Sequence, residues 1–254
     1  MKQIALIILS LCVASFVQGQ KFISSGTIEF EVKTNFHKFL GARWGGEEDD
    51  DWSKQLIASQ PQFTVNYYKY SFSDNKANYK FDRNGDIKKV SPWLSSVNED
   101  DFWFNDYSNG KFVNLKAIDD NYIISGDLKK VKWKLYPNDN TIIAGFNCRR
   151  ASTVLYDSVY IFAYYTDEIT ICGGPMSLNG LPGMILGVTI PRLYTSWIAT
   201  SVSLDAQPVK EPVKGKKKSE AELMQILIEY GKSRAKEYKN ATRWISPMIW
   251  QTFL

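Results

Sequence analysis

Glu168-Ile169-Thr170-Ile171-Cys172-Gly173-Gly174-Pro175, continuing through Asn179-Gly180-Leu181-Pro182-Gly183-Met184-Ile185-Leu186, is a loop crowded with turn residues that feeds straight into an apolar run. Pro182 presets φ for the first corner of a turn, and Gly183 can take the positive φ needed at the second. Leu181, preceding a proline, is biased to extended backbone. Met184 to Ile190 then reads as a buried strand. The glycines make no phosphate cradle, because no Lys-Ser or Lys-Thr follows them and no helix pattern begins there. They read as a shaped β-connection.

Strand patterns dominate in both directions from this loop. Thr27 to Lys33 alternates cleanly, with Ile28, Phe30 and Val32 on one face and Thr27, Glu29, Glu31 and Lys33 on the other. Further strands are expected over 63–72, 77–82, 111–115, 122–125, 132–136 and 196–204. A hairpin is expected with arms 142–155 and 159–170 around Tyr156-Asp157-Ser158. Asn84-Gly85, Asn109-Gly110 and Pro137-Asn138-Asp139-Asn140 read as hairpin connections. Strands recurring about every 8 to 15 residues predict an antiparallel meander rather than βαβ units.

Two stretches depart from this pattern. Glu47 to Asp51 is a run of consecutive carboxylates between glycines and Trp52. Consecutive side chains cannot converge on one calcium ion, which wants six to eight oxygens, so a solvated loop is expected. Near the other end, 205–218 is rich in Lys and Pro and reads as an exposed connection. Ser219 and Glu222 form a capping box for a helix over 219–239. Leu223, Ile226, Leu227 and Tyr230 make a stripe on that helix that must pack on something. The apolar tail 240–254, with Trp244, Ile249, Trp250 and Phe253, is expected to be docked.

Lys2 followed by the apolar run Ile4 to Val17 predicts a signal peptide over residues 1–19, cut before Gln20. About 14 apolar residues is short for a membrane span, which needs roughly 20. Leu11 just before Cys12 argues against lipoprotein processing. The remainder, 20–254, is read as a single β-rich domain with no transmembrane span. The net charge of +4 falls to +3 when Lys2 leaves, too little to argue for nucleic acid. Aromatic residues at 14 % and hydrophobic residues at 44 % supply a large core and exclude a disordered chain. Of three cysteines, Cys148 and Cys172 survive cleavage, and in an oxidising compartment two such residues tend to pair. A bridge closing about 25 residues would contribute on the order of 3 kcal/mol. The alternative is two separate buried thiols.

Several blocks together carry a family likeness: Ser25-Gly26-Thr27-Ile28-Glu29-Phe30-Glu31, Trp133-Lys134-Leu135, Ile143 to Ala151, Ala163-Tyr164-Tyr165-Thr166-Asp167-Glu168-Ile169, Pro212-Val213-Lys214-Gly215-Lys216 and the loop 173–183. On these the chain resembles the GLPGLI family of Bacteroidetes envelope proteins over most of residues 25–230. Met184 stands where that family has its second Leu, and Tyr164 where Trp is usual. The resemblance implies an exported protein, in the periplasm or at the outer-membrane periphery of a Gram-negative bacterium. It implies no assigned activity. The signature loop would comprise Gly173, Gly174, Pro175, Gly180, Leu181, Pro182 and Gly183.

The residue inventory points away from familiar catalysis. A nucleophilic triad needs a base, and the single histidine, His37, falls in a strand-like segment with no Gly-x-Ser-x-Gly elbow in the chain. Two cysteines and one histidine make no transition-metal set. Asp82-Arg83-Asn84-Gly85-Asp86 reads as a hairpin turn rather than a calcium loop. Asp100-Asp101, Asp119-Asp120 and Asp167-Glu168 are adjacent pairs, which on strands point to opposite faces and cannot flank a glycosidic bond. The lysines of 214–218 are candidates for anionic lipid or for plain solvation.

The expected fold is mainly β, a large curved antiparallel sheet or half-open barrel with one C-terminal helix packed against it. In outline it resembles the half-barrels of periplasmic lipoprotein carriers, an analogy of fold alone. The expected function is non-catalytic, without cofactor or metal: binding of a lipid or other apolar ligand, or of an outer-membrane protein. By strand alternation, Trp133, Leu135, Phe162, Tyr164, Ile198 and Val202 would line an apolar pocket. The alternatives are an interaction module that uses the 173–183 loop and a carboxylate-based hydrolase.

Overall fold

The structure is a computed structural model, and it describes residues 22–44, 51–85, 90, 94, 98–156, 158–237 and 242–254. The signal-peptide reading, Glu47 to Asp50 of the acidic run, and Asp86 lie outside the described residues. The fold is mainly β, as the patterning predicts. Twelve strands form one open sheet: β1 (Gly26–Asn35), β2 (Phe63–Ser73), β3 (Lys76–Asn84), β4 (Phe102–Asp106), β5 (Lys111–Ala117), β6 (Asn121–Asp127), β7 (Lys134–Ile143), β8 (Phe146–Leu155), β9 (Val159–Thr166), β10 (Met184–Ile190), β11 (Thr195–Ser203) and β12 (Lys216–Lys218). Their order across the sheet is β12-β6-β5-β4-β3-β2-β1-β11-β10-β9-β8-β7. Every pairing is antiparallel except β12 on β6.

Local chemistry accounts for most of the turns. Asp74 and Asn75 both take positive φ between β2 and β3, as a two-residue hairpin turn requires. Gly110 does so after Asn109, where the sequence places a turn. Ala144 and Gly145 do so between β7 and β8. In β1 the alternation holds, with Ile28, Phe30 and Val32 buried.

Four details of the sequence reading are corrected. Pro137 to Asn140 is not a hairpin turn. It is an irregularity inside β7, where pairing jumps from Tyr136↔Arg150 to Asn140↔Arg149, because a proline on an edge strand gives up its ladder bond at no cost to a neighbour. Asn84-Gly85 is not a tight turn either. The Gly85 N–H still bonds to Val65 O, and β3 pairs with β4 only after a long connection. His37 lies in a helix, α1 (Phe36–Trp44), and its Nε2 sits 2.9 Å from Gln60 O. Asp51 opens a second helix, α2 (Asp51–Ser59), rather than ending a loop.

The C-terminal region holds two helices where one was expected. α3 (Glu220–Glu237) begins at the expected capping box. Glu222 N–H donates to Ser219 Oγ at 3.2 Å, and Ser219 N–H donates to a Glu222 carboxylate oxygen at 2.8 Å. Such a cap is worth about 1 kcal/mol. Leu223 and Leu227 are buried, and Leu223 packs with Phe112, Tyr122 and Ile124 of β5 and β6. The apolar tail is itself helical, α4 (Thr242–Phe253), and delivers Trp250 and Leu254 to the main core. α3 and α4 cross at Gly231, where a β-carbon would fall 2.5 Å from Ile245 Cγ1. The Lys-rich connection is not simply solvated. Asp205 O accepts from Thr27, and the segment ends as β12, with Lys216 paired to Asp120 and Lys218 to Glu222.

Candidate functional site

The loop between β9 and β10 lies on the inner face of the sheet and fills it. Gly173, Gly174, Pro175, Met176, Leu178, Asn179, Leu181 and Gly183 are buried, while Cys172, Gly180 and Pro182 are exposed. Its apolar members Met176, Leu178 and Leu181 join one core with Phe30, Tyr70, Trp197 and Trp250. The loop is tied to both limbs of the sheet. On the β4 side, Asn105 Nδ2 donates to Met176 O at 3.0 Å. On the β7 side, Trp133 Nε1 donates to Asn179 O at 2.8 Å. Ser177 N–H donates to Leu254 O at 3.0 Å, which locks the C-terminus to the same loop.

The glycines are dictated by close approach. Gly183 has φ of 130°, and a β-carbon there would fall 2.0 Å from Thr166 O. Its N–H donates to Leu181 O at 2.9 Å, a three-residue turn about Pro182. The positive φ expected of Gly183 is therefore present. At Gly173 a β-carbon would fall 2.3 Å from the Tyr70 hydroxyl and 2.4 Å from that of Tyr107. Those hydroxyls bond to each other at 3.0 Å. Burial pushes the Tyr70 phenol well above its ordinary pKa and that of Tyr107 to about 12.

The expected Cys148–Cys172 disulfide is not formed, and both thiols are free. β8 and β9 pair through Arg149↔Tyr165, so the register places Cys148 opposite Thr166, the last residue of β9. The chain then leaves the sheet: Ile23 N–H bonds to Glu168 O and Thr170 N–H bonds to Ile23 O. That detour carries Cys172 away from Cys148 and toward Tyr70 and Tyr107. Cys148 is fully buried, and burial raises its thiol pKa to about 11.

The six expected pocket residues do not enclose a common interior. Ala163 and Tyr165 point into the core, so Phe162 and Tyr164, of opposite parity on β9, face outward. Ile198 is outward too, between buried Trp197 and Ala199, and is 38 % exposed. Leu135 is 47 % exposed, and Val202 is partly buried near the start of β1. Trp133 serves the interior through the signature loop, and Val202, opposite buried Ile28, packs against the main core. Tyr164 and Ile198 do meet, on the outer face over Gly187, where a β-carbon would lie 2.9 Å from Ile143 Cδ1.

That outer face of β7, β8 and β9 carries an exposed apolar and aromatic surface that alternation assigned to the wrong side. Val154 and Tyr160 are cross-strand partners, 45 % and 58 % exposed. Tyr136 is paired with Arg150, whose guanidinium lies 4.5 Å from its ring centre, and Arg150 is paired with Tyr164. An open groove follows at Leu135 to Asn140.

Sequence reading missed one further cluster. Lys116 is 1 % exposed, with Nζ 3.6 Å from Asp101 Oδ2 and 3.5 Å from the centre of the Trp103 ring. Burial lowers its pKa to about 8 against the attraction of Asp101. Burial raises the Asp101 carboxyl while Lys116 holds it back. The alternation Phe112, Asn114, Lys116 along β5 was the available signal, but a lysine at an inward position is normally read as the strand's end. The carboxylate pairs each serve separate partners: Asp101 with Lys116, Asp120 with Lys216, Asp167 with Arg149. Among the described residues no group of three His, Cys, Asp or Glu side chains could hold a metal ion.

Fold and site thus define a mainly β open half-barrel whose inner face is filled by its own loop. A family model described as a protein of unknown function (Porph_ging) matches residues 109–187, a span that contains β5 to β9, that loop and the start of β10. No curated protein matches. Among solved structures, the chain is similar to PNGF-II in a P21 crystal form, with 15 % identity, TM-score 0.48, and coverage of 77 % of this chain and 31 % of that one. The C2 form of PNGF-II gives 16 % identity, TM-score 0.48, and coverage of 76 % and 31 %. The chain spans about a third of the length of these solved chains.

Proposed function

We propose that this is an exported, non-catalytic envelope protein of the GLPGLI type that works by contact, through the outer face of β7 to β9. The observation that carries this reading is the exposed pair Val154 and Tyr160 beside half-buried Phe162 and Tyr164 on the same face. Contiguous exposed apolar surface of this kind is a mark of an interaction site. Three further facts support it. The inner face, where an apolar ligand was expected, is packed with Met176, Leu178, Leu181 and Trp250. The signature loop, the other candidate contact, exposes only Cys172, Gly180 and Pro182 from 172 to 183 apart from partly exposed Ser177. The family match over 109–187 spans β7, β8 and β9 whole.

The test is a photo-crosslinking residue at Tyr160, with Pro182 of the signature loop as the control position. The expected result is an adduct in the envelope fraction from position 160 and none from 182. Adducts from 182 alone would transfer the contact to the loop and end the reading.

A further inference from the structure

From the lysines bordering that same face, we propose that it docks on an anionic lipid surface. This rests on the contact reading above and names what is contacted. The segment leading into β7 alternates: Val131 and Trp133 turn inward, while Lys130, Lys132 and Lys134 are exposed. Lys134 is the cross-strand partner of Ser152, itself the partner of Phe162, so its side chain shares the outer face with the aromatic column. Lys132 lies one step further along, where its carbonyl accepts from Thr153, the neighbour of Val154. None of the three lysines has an ion-pair partner among the described residues, whereas the nearby acids are already engaged, Asp139 by Arg150, Asp167 by Arg149 and Glu220 by Lys129. The result is a row of uncompensated cations along one border of a strip containing Tyr160, Phe162 and Tyr164.

This combination fits a lipid headgroup layer better than a protein. Lysine is depleted from protein–protein interfaces, where it must be desolvated and ordered. At a membrane surface it keeps its water and gains from the negative potential. Tyrosine likewise places its ring among the acyl-chain ends and its hydroxyl among the headgroups. The lysines of 214–218, the earlier candidates for lipid, are in part consumed within the fold, Lys216 by Asp120 and Lys218 by Glu222.

The test is co-sedimentation of the folded chain with phosphatidylcholine vesicles, with and without phosphatidylglycerol. The expected result is binding only to the anionic vesicles, abolished by high salt. Lys132→Glu/Lys134→Glu should lower the partition coefficient by about tenfold or more, since each lysine lost from such a surface weakens binding several-fold. Val154→Ser/Tyr160→Ser should weaken it with the salt dependence retained. Equal binding to neutral vesicles, or full binding by the lysine double variant, overturns the proposal. No vesicle binding together with a protein adduct from position 160 also overturns it and leaves the contact reading standing. No vesicle binding and no adduct removes both.

Discussion

The two faces of the β8–β10 region are built on opposite principles. Beneath it, the 173–183 loop brings backbone within van der Waals range of other backbone and side chains, so that Gly173 and Gly183 admit no side chain at all. Above it, Val154 and Tyr160 stand in solvent with no neighbour requiring them. The inner face carries the recognisable motif and the outer face carries none. A motif that is dense in glycine and proline therefore marks here the place where the fold is most constrained. The surface free to touch something else is marked only by what it leaves uncovered.

The largest effect is expected of Gly183→Ala. With φ of 130° and a β-carbon 2.0 Å from Thr166 O, the substitution combines backbone strain with a backbone clash. We expect a loss of about 3 kcal/mol or more in a denaturant melt. A loss under about 1 kcal/mol would mean that the loop can relax and is not the rigid filling described above.

Lys116 tests whether the inner face is equally closed on the β5 side. Its folded pKa of about 8 lies below its ordinary 10.5, so the folded state sheds this proton first. Between those values the unfolded chain binds more protons, and this group's contribution to stability rises with pH. Cys148, raised to about 11 from an ordinary 9.0, acts in the opposite sense above pH 9, and the buried tyrosines do so above pH 10. The measurement is thus the wild type against Lys116→Met/Asp101→Asn, which orphans neither charge. From pH 7.5 to 9 the wild type should gain on the variant by about 1 kcal/mol. Parallel melts would show Lys116 to be solvated rather than buried.

The smallest effect is expected on the outer face. Val154→Ser/Tyr160→Ser should change stability by no more than about 0.5 kcal/mol per site, because each side chain is already near half exposed. A larger loss would show that these residues belong to the core and do not form a free surface.

Much of the sheet was legible because period-two alternation records which face is wet. β1 and β10 appear as the pattern indicates, and the Ser219 cap forms with both of its bonds. β4 escaped because Phe102 to Asp106 is flanked by aspartates and is buried along most of its length, so it shows no alternation. Pro137 was read as a stop because an edge position, where proline does little harm, is not visible along the chain. The candidate pocket failed for a related reason. Alternation separates the faces of a strand, but nothing in one strand says which face looks inward.

What the amino acids settled by themselves is local: the turn at Asn109-Gly110, the cap at Ser219, and that Gly183 needs positive φ. Each of these follows from sterics within a few residues. The assembled sheet decided the rest, namely that the signature loop fills the inner face, that Cys148 and Cys172 part company, and that Lys116 is buried beside Asp101. Those outcomes depend on strand order and register between residues far apart in sequence, which short-range preferences do not encode.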